Sequence, residues 1–227
     1  MKEGLILSVF ILVFAVCSYG AEPQKINFGI DKAKLESGKL QVFEEEYSIE
    51  GKGKKKRVVG VILIDASPAE VWQVLEDWDS MGAFVSGLDY YKTVHVIKPT
   101  KKGDVGESLI EGKLSIPLLT ILYTLDVKFD EPNLRQEWRM ISKEEVTSYN
   151  QKGIAVRKNS KVLKNIEGYE YLKPYNNGSQ TLYVYAPIVT TSVPVPDFIE
   201  KALSKTTLSG YMKGVKERVE SLKKQDK

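Results

Sequence analysis

The chain has 227 residues, with 33 Lys and Arg against 30 Asp and Glu, a formal balance of +3. So slight and dispersed an excess gives no electrostatic footprint for nucleic acid. A single histidine, His95, and a single cysteine, Cys17, exclude a disulfide framework and any His/Cys metal centre, and leave no Ser-His or Cys-His catalytic pair unless His95 itself serves.

Met1 and Lys2 precede an apolar run from Leu5 to Val16, shorter than the roughly 20 residues of a membrane span, and Ser18, Tyr19 and Gly20 follow before Ala21. This is the outline of a secretory signal over residues 1–20, and it predicts an exported, periplasmic protein whose mature chain lacks cysteine. Lipidation at Cys17 is the alternative, and Val16, which is not small, weighs against it.

Residues 21–39 read as a polar lead-in with at most a short helix. Leu40 to Ile49 reads as a strand around Glu44, Glu45 and Glu46, which are expected to be a solvated strand edge. Gly51 to Arg57 reads as a flexible basic turn feeding the β-branched run Val58 to Ile64. Ser67, Pro68 and Glu70 form a capping-box start for a helix that turns Val71, Trp72, Val74 and Leu75 inward, with a second short helix over Met81 to Val85.

Tyr91 to Lys98 has strand character and ends in a Pro99 to Gly106 turn. The clearest alternation in the chain is Ile121, Tyr123, Leu125, Val127 and Phe129, pairing with Ile110, Gly112, Leu114 and Ile116 in a hairpin whose tip is Pro117, Leu118 and Leu119. Leu134, Gln136, Trp138 and Met140 continue the sheet, and residues 143–161 read as a helix or an ordered excursion. Strands over 162–174 and 180–190 flank the turn Asn176, Asn177 and Gly178. A long amphipathic helix closes the chain, with Phe198, Ile199, Leu203, Leu208, Tyr211, Met212, Val215, Val219 and Leu222 on one face. Its middle carries small residues, Ser204, Thr206, Thr207, Ser209 and Gly210, which suit either a cavity or close packing on the sheet.

This order predicts an α+β fold in which a curved antiparallel sheet wraps the last helix. The stretch Ile64 to Trp78, with its Ser67-Pro68 helix start, Val71-Trp72 and the Asp77-Trp78 end, resembles the opening of START-like (SRPBCC, helix-grip) domains. Val193 to Ile199 is similar to the entry into their final helix. The resemblance covers residues 40–222 and implies a helix-grip, ligand-binding domain over 40–224, with a range from lipid carriers to polyketide cyclases. Fold does not choose among these.

For function, the expectation is binding of a lipid or other hydrophobic small molecule in a cavity between sheet and helix, with no cofactor. The expected cavity residues are Tyr123, Leu125, Gln136, Trp138 and Tyr183 from the sheet and Leu203 and Thr207 from the helix. Gln136 would orient a polar group of the ligand or else point to solvent. Phe84 and Leu88, with Leu118 and Leu119, are expected to rim the cavity mouth in transient contact with a membrane, or else to fold back as core. No protein partner is indicated. A cyclase- or aromatase-like enzyme, and an interaction module with a filled cavity, are the alternatives.

Overall fold

The computed structural model describes residues 29–49, 53–100, 103–116, 119–192, 194 and 207–225. The expected signal over residues 1–20 lies outside them. Eight strands form one antiparallel sheet: β1 (Gln41–Ile49), β2 (Gly53–Ile64), β3 (Leu88–Lys98), β4 (Val105–Ile116), β5 (Leu119–Asp130), β6 (Arg135–Met140), β7 (Leu163–Tyr175) and β8 (Gln180–Thr191). Their spatial order is β1-β2-β8-β7-β6-β5-β4-β3, so β8 returns beside β2 and the helical segment between β2 and β3 carries the chain to the opposite edge. The helices are α1 (Lys32–Glu36), α2 (Pro68–Glu76), α3 (Lys143–Gln151) and α4 (Thr207–Gln225), with a 3-10 turn over Trp78–Ala83.

The capping box that starts α2 is formed: Ser67 Oγ accepts from the Glu70 amide, and Glu70 accepts from the Ser67 amide at 2.6 Å. After α2 the chain tightens into the 3-10 turn rather than forming a helix over 81–85, and this buries Trp78 and Met81. The segment expected to be a loose basic turn is strand from Gly53 onward. Lys54 and Lys56 sit beside Glu46 and Glu44 across β1–β2, so opposite charges meet on neighbouring strands and favour pairing over a loop. Glu44 and Glu46 are exposed there, whereas Glu45 points to the other face and pairs with Arg57.

Helix α4 lies on the inner face of the sheet, packed against α2, β2 and β8. Leu208, Tyr211, Met212, Val215 and Val219 are buried under it with Ile62, Ile64, Trp72, Leu75, Tyr183 and Tyr185. Two glycines permit this approach. A Cβ on Gly60 would stand 2.2 Å from Met212 Sδ, and one on Gly214 would stand 2.5 Å from the Phe84 carbonyl oxygen. Lys216 and Lys223 fasten the far half of the helix by donating to the Leu63 and Asp65 carbonyls at 2.9 and 2.6 Å.

The outer face is covered in two places. Leu35 of α1 packs on Val59, Val61, Leu63, Val184 and Ala186. Val146 of α3, with Val156, packs on Leu109 and Ile141. Residues 143–161 therefore resolve into a helix and a return segment. Asn159 and Ser160 accept from the Thr124 and Leu122 amides at 2.8 Å each, which satisfies β5 where its pairing with β6 ends.

Candidate functional site

Between the inner face and α4 lies a cavity of about 60 Å³, walled by Tyr91, Leu114, Ile121, Tyr123, Leu125, Trp138, Leu163, Ile166, Tyr185, Pro187, Val189 and Leu208. Strand alternation puts these side chains there: Tyr123 and Leu125 are two apart on β5, and Trp138 lies over Gly168, its direct partner on β7. Gly168 is required for this, because a Cβ on it would meet the Trp138 ring at 2.6 Å and the Ala186 carbonyl oxygen at 2.7 Å. Trp138 stacks on Tyr185 with centroids 5.4 Å apart, and Tyr185 stacks on Tyr211 of α4 at 4.6 Å. Tyr91 and Tyr123 meet edge-to-face over Gly112, with their hydroxyls 3.2 Å apart.

One row further along the strands the inner face becomes polar. Gln136 and Glu170 are direct partners across β6–β7, and Glu170 is the direct partner of Tyr185 across β7–β8. Both polar side chains are fully buried. Tyr183 donates its hydroxyl to Glu170 Oε2. Gln136 Nε2 donates to the Leu75 carbonyl at 3.2 Å, which ties the end of α2 to the sheet. Glu170 Oε1 and Gln136 Oε1 have no hydrogen-bond partner among the described residues. Burial pushes the Glu170 carboxyl up to about 8, against the opposing pull of the Tyr183 hydroxyl, so it is largely protonated at neutral pH.

Tyr123, Leu125 and Trp138 stand in the cavity wall. Tyr183 lies beside it, its ring 6.5 Å from that of Tyr185, and serves Glu170. Gln136 points inward and not to solvent. Thr207 opens α4, but its side chain, like all of Leu203 and Leu118, lies outside what the structure describes. Leu88 is buried in the main core, and Phe84 and Leu119 are half-buried against it. Tyr91, Leu208 and Glu170 were missed by sequence reasoning. For Tyr91 and Leu208 the signal was their apolar face, and for Glu170 it was its shared parity with Ile166 and Leu172.

A second, solvent-open groove of about 800 Å³ runs along β3 and β4, between Lys92, Lys113, Glu111 and Arg157. Its buried carboxylate is already satisfied: Tyr90 donates to Glu111 at 2.8 Å and Arg157 stands 3.6 Å away. The apolar walls and incompletely bonded polar row make the smaller, inner cavity the candidate site. Among the described residues no group of three His, Cys, Asp or Glu side chains could hold a metal ion.

The fold is START-like: a large antiparallel sheet gripping a C-terminal helix. A START superfamily protein from Mycobacterium smegmatis superposes with a TM-score of 0.54 at 15% identity, over 72% of this chain and 97% of that one. The Zhui aromatase/cyclase of a Streptomyces species gives 0.53 at 10% identity, over 80% and 94%. A STAR-related lipid transfer protein from Xanthomonas axonopodis gives 0.51 at 14% identity, over 79% and 93%. No protein-family model and no curated protein matches the sequence.

Proposed function

We propose that the protein binds a hydrophobic small molecule or lipid beneath α4. The observation that carries this reading is the apolar, aromatic-walled cavity between sheet and helix. Binding is driven by burial of apolar surface, about 25 cal/mol per Å², and requires no cofactor. At about 60 Å³ the cavity is small, whereas ligand sites are roughly 300–1,000 Å³. Loading therefore requires α4 and the Trp138–Tyr185–Tyr211 stack to move apart. With the N-terminal signal pattern, the reading extends to an exported carrier that meets a membrane in passing; N-terminal sequencing of the secreted protein should then begin at Ala21.

The test is a titration of the detergent-free protein with a phospholipid, a sterol and a quinone, followed by tryptophan fluorescence, since Trp138 stands in the wall. Saturable quenching or a blue shift by one of them, abolished when Leu125→Trp fills the cavity, is the expected result. No response to any of the three contradicts the reading.

Two other readings each have one observation behind them. The small cavity volume favours an interaction module with a filled interior. The buried Tyr183–Glu170 pair, a proton donor on an acceptor, favours a cyclase-like enzyme. In that case Glu170→Gln abolishes turnover while apolar binding survives.

A further inference from the structure

The inner face holds two polar atoms that its scaffold does not use, and, if the cavity under α4 binds an apolar molecule as proposed, their chemistry narrows the class of that molecule. Glu170 and Gln136 face each other across β6–β7, fully buried, one row along the strands from Trp138 and directly beside Tyr185, both cavity-wall residues. Glu170 Oε2 accepts from Tyr183, and Gln136 Nε2 is committed to the Leu75 carbonyl. Oε1 of each has no partner among the described residues. A buried polar atom left without a partner is destabilising, and a ligand group that bonds it relieves that cost.

The groups that face Glu170 are Gln136, Tyr183 and Tyr185 from the sheet, Tyr211 from α4, and Tyr91 from β3, with no cation against it among the described residues. With its carboxyl raised to about 8 by burial, Glu170 is mostly in the acid form at pH 7. Since its Oε2 accepts from Tyr183, its proton sits on Oε1. The unused atoms are therefore a donor, Glu170 Oε1–H, and an acceptor, Gln136 Oε1. An alcohol matches both, accepting from Glu170 and donating to Gln136. An ether or ketone offers only acceptors and leaves Gln136 unmet, and a carboxylate does the same while burying a charge.

We propose that Glu170 and Gln136 together recognise the hydroxyl of an apolar alcohol whose hydrocarbon part occupies the cavity under α4. Carboxylic acids and ethers of the same length bind more weakly. Trp138 and Tyr185 both line the cavity and Tyr185 pairs with Glu170 across β7–β8, so the hydroxyl reaches the polar row past these two rings.

The experiment is calorimetric titration of the full chain at pH 7 with 1-decanol, its methyl ether and decanoate. Decanol is expected to bind about three- to tenfold more tightly than the other two, the value of one neutral buried hydrogen bond. Gln136→Leu is expected to erase the difference between alcohol and ether. Glu170→Gln is expected to keep it, because the amide donates from the same position, and circular dichroism of both variants verifies that they fold. Equal affinities for all three probes, or an alcohol preference that survives Gln136→Leu, overturn the hydroxyl anchor and leave an internal water as the partner of these atoms. If none of the probes binds, the hydroxyl anchor is overturned, while the binding reading stands or falls separately on the phospholipid, sterol and quinone titration.

Discussion

The two faces of the sheet treat their buried carboxyl groups in opposite ways. On the outer face each has an arginine: Asp126 lies 2.7 Å from Arg139, Glu111 lies 3.6 Å from Arg157, and Glu45 pairs with Arg57, which is itself sandwiched between Tyr47 and Tyr169. On the inner face Glu170 has a tyrosine and no cation among the described residues. A guanidinium beside a carboxyl group fastens local structure through charge-assisted hydrogen bonds. Arg139 shows this, bridging Asp126 of β5 to both oxygens of Glu145, the capping residue of α3. A buried carboxyl without a cation stays neutral, keeps its surroundings apolar and retains hydrogen-bonding capacity for something else. The outer face gives its carboxyl groups arginines and the inner face gives Glu170 a tyrosine, while buried atoms without a partner among the described residues occur on both faces, Asp126 Oδ1 and Thr124 Oγ1 as well as Glu170 Oε1 and Gln136 Oε1.

The sharpest way to break this comparison is to titrate it. Glu170 has an ordinary carboxyl value of 4.5 in the unfolded chain and about 8 in the folded one, so the folded state holds the extra proton between them. Stability should then fall as pH rises from 4.5 towards 8, by on the order of 3–5 kcal/mol in all. Urea denaturation at pH 5 and pH 9 should show this loss in the native sequence and a much flatter profile in Glu170→Gln. Next in size is Gly168→Ala, whose Cβ meets a backbone carbonyl as well as Trp138. It should cost about 2–3 kcal/mol and alter the near-ultraviolet dichroism of the stacked rings.

On the outer face Arg139→Ala should cost about 1–2 kcal/mol, less than a fully buried pair because the arginine is half-exposed. It should also change the acid limb. Arg139, with the Ser142 amide, holds the Glu145 carboxyl down to about 2, so its stabilisation is present above 4.5 and is lost as pH falls towards 2. Thermal melts at pH 7 and pH 3 should differ less in the variant. Lys56→Ala, at an exposed cross-strand pair, should leave the melting temperature unchanged within error.

The same contrast explains which parts were legible in the sequence. β5 alternates cleanly around Tyr123 and Leu125, and its mostly polar partner residues identify the inner face without ambiguity. The α2 capping box is equally local, fixed by Ser67 and Glu70 alone. β8 is different, because it carries apolar side chains on both faces: Leu182, Val184 and Ala186 lie in the cluster with Leu35 of α1, while Tyr183 and Tyr185 lie toward α4. With apolar residues at both parities, period-2 reading gives no direction. Tyr169 and Tyr171 stack on each other on the outer face, against Arg57 and Arg135. Glu170 between them turns inward, on the parity of Ile166 and Leu172, and its pairing with Gln136 across β6–β7 follows from the register. Nor does spacing show how far the rings fill the grip, since that depends on glycines 60, 168 and 214 bringing chains distant in sequence together.

The most direct test of the central claim is native mass spectrometry, with organic extraction, of the protein purified without detergent from its own host. A stoichiometric apolar molecule, released together with loss of the bound mass and carrying a hydroxyl group, is the predicted result. A bare protein that also takes up no phospholipid, sterol or quinone would contradict the account.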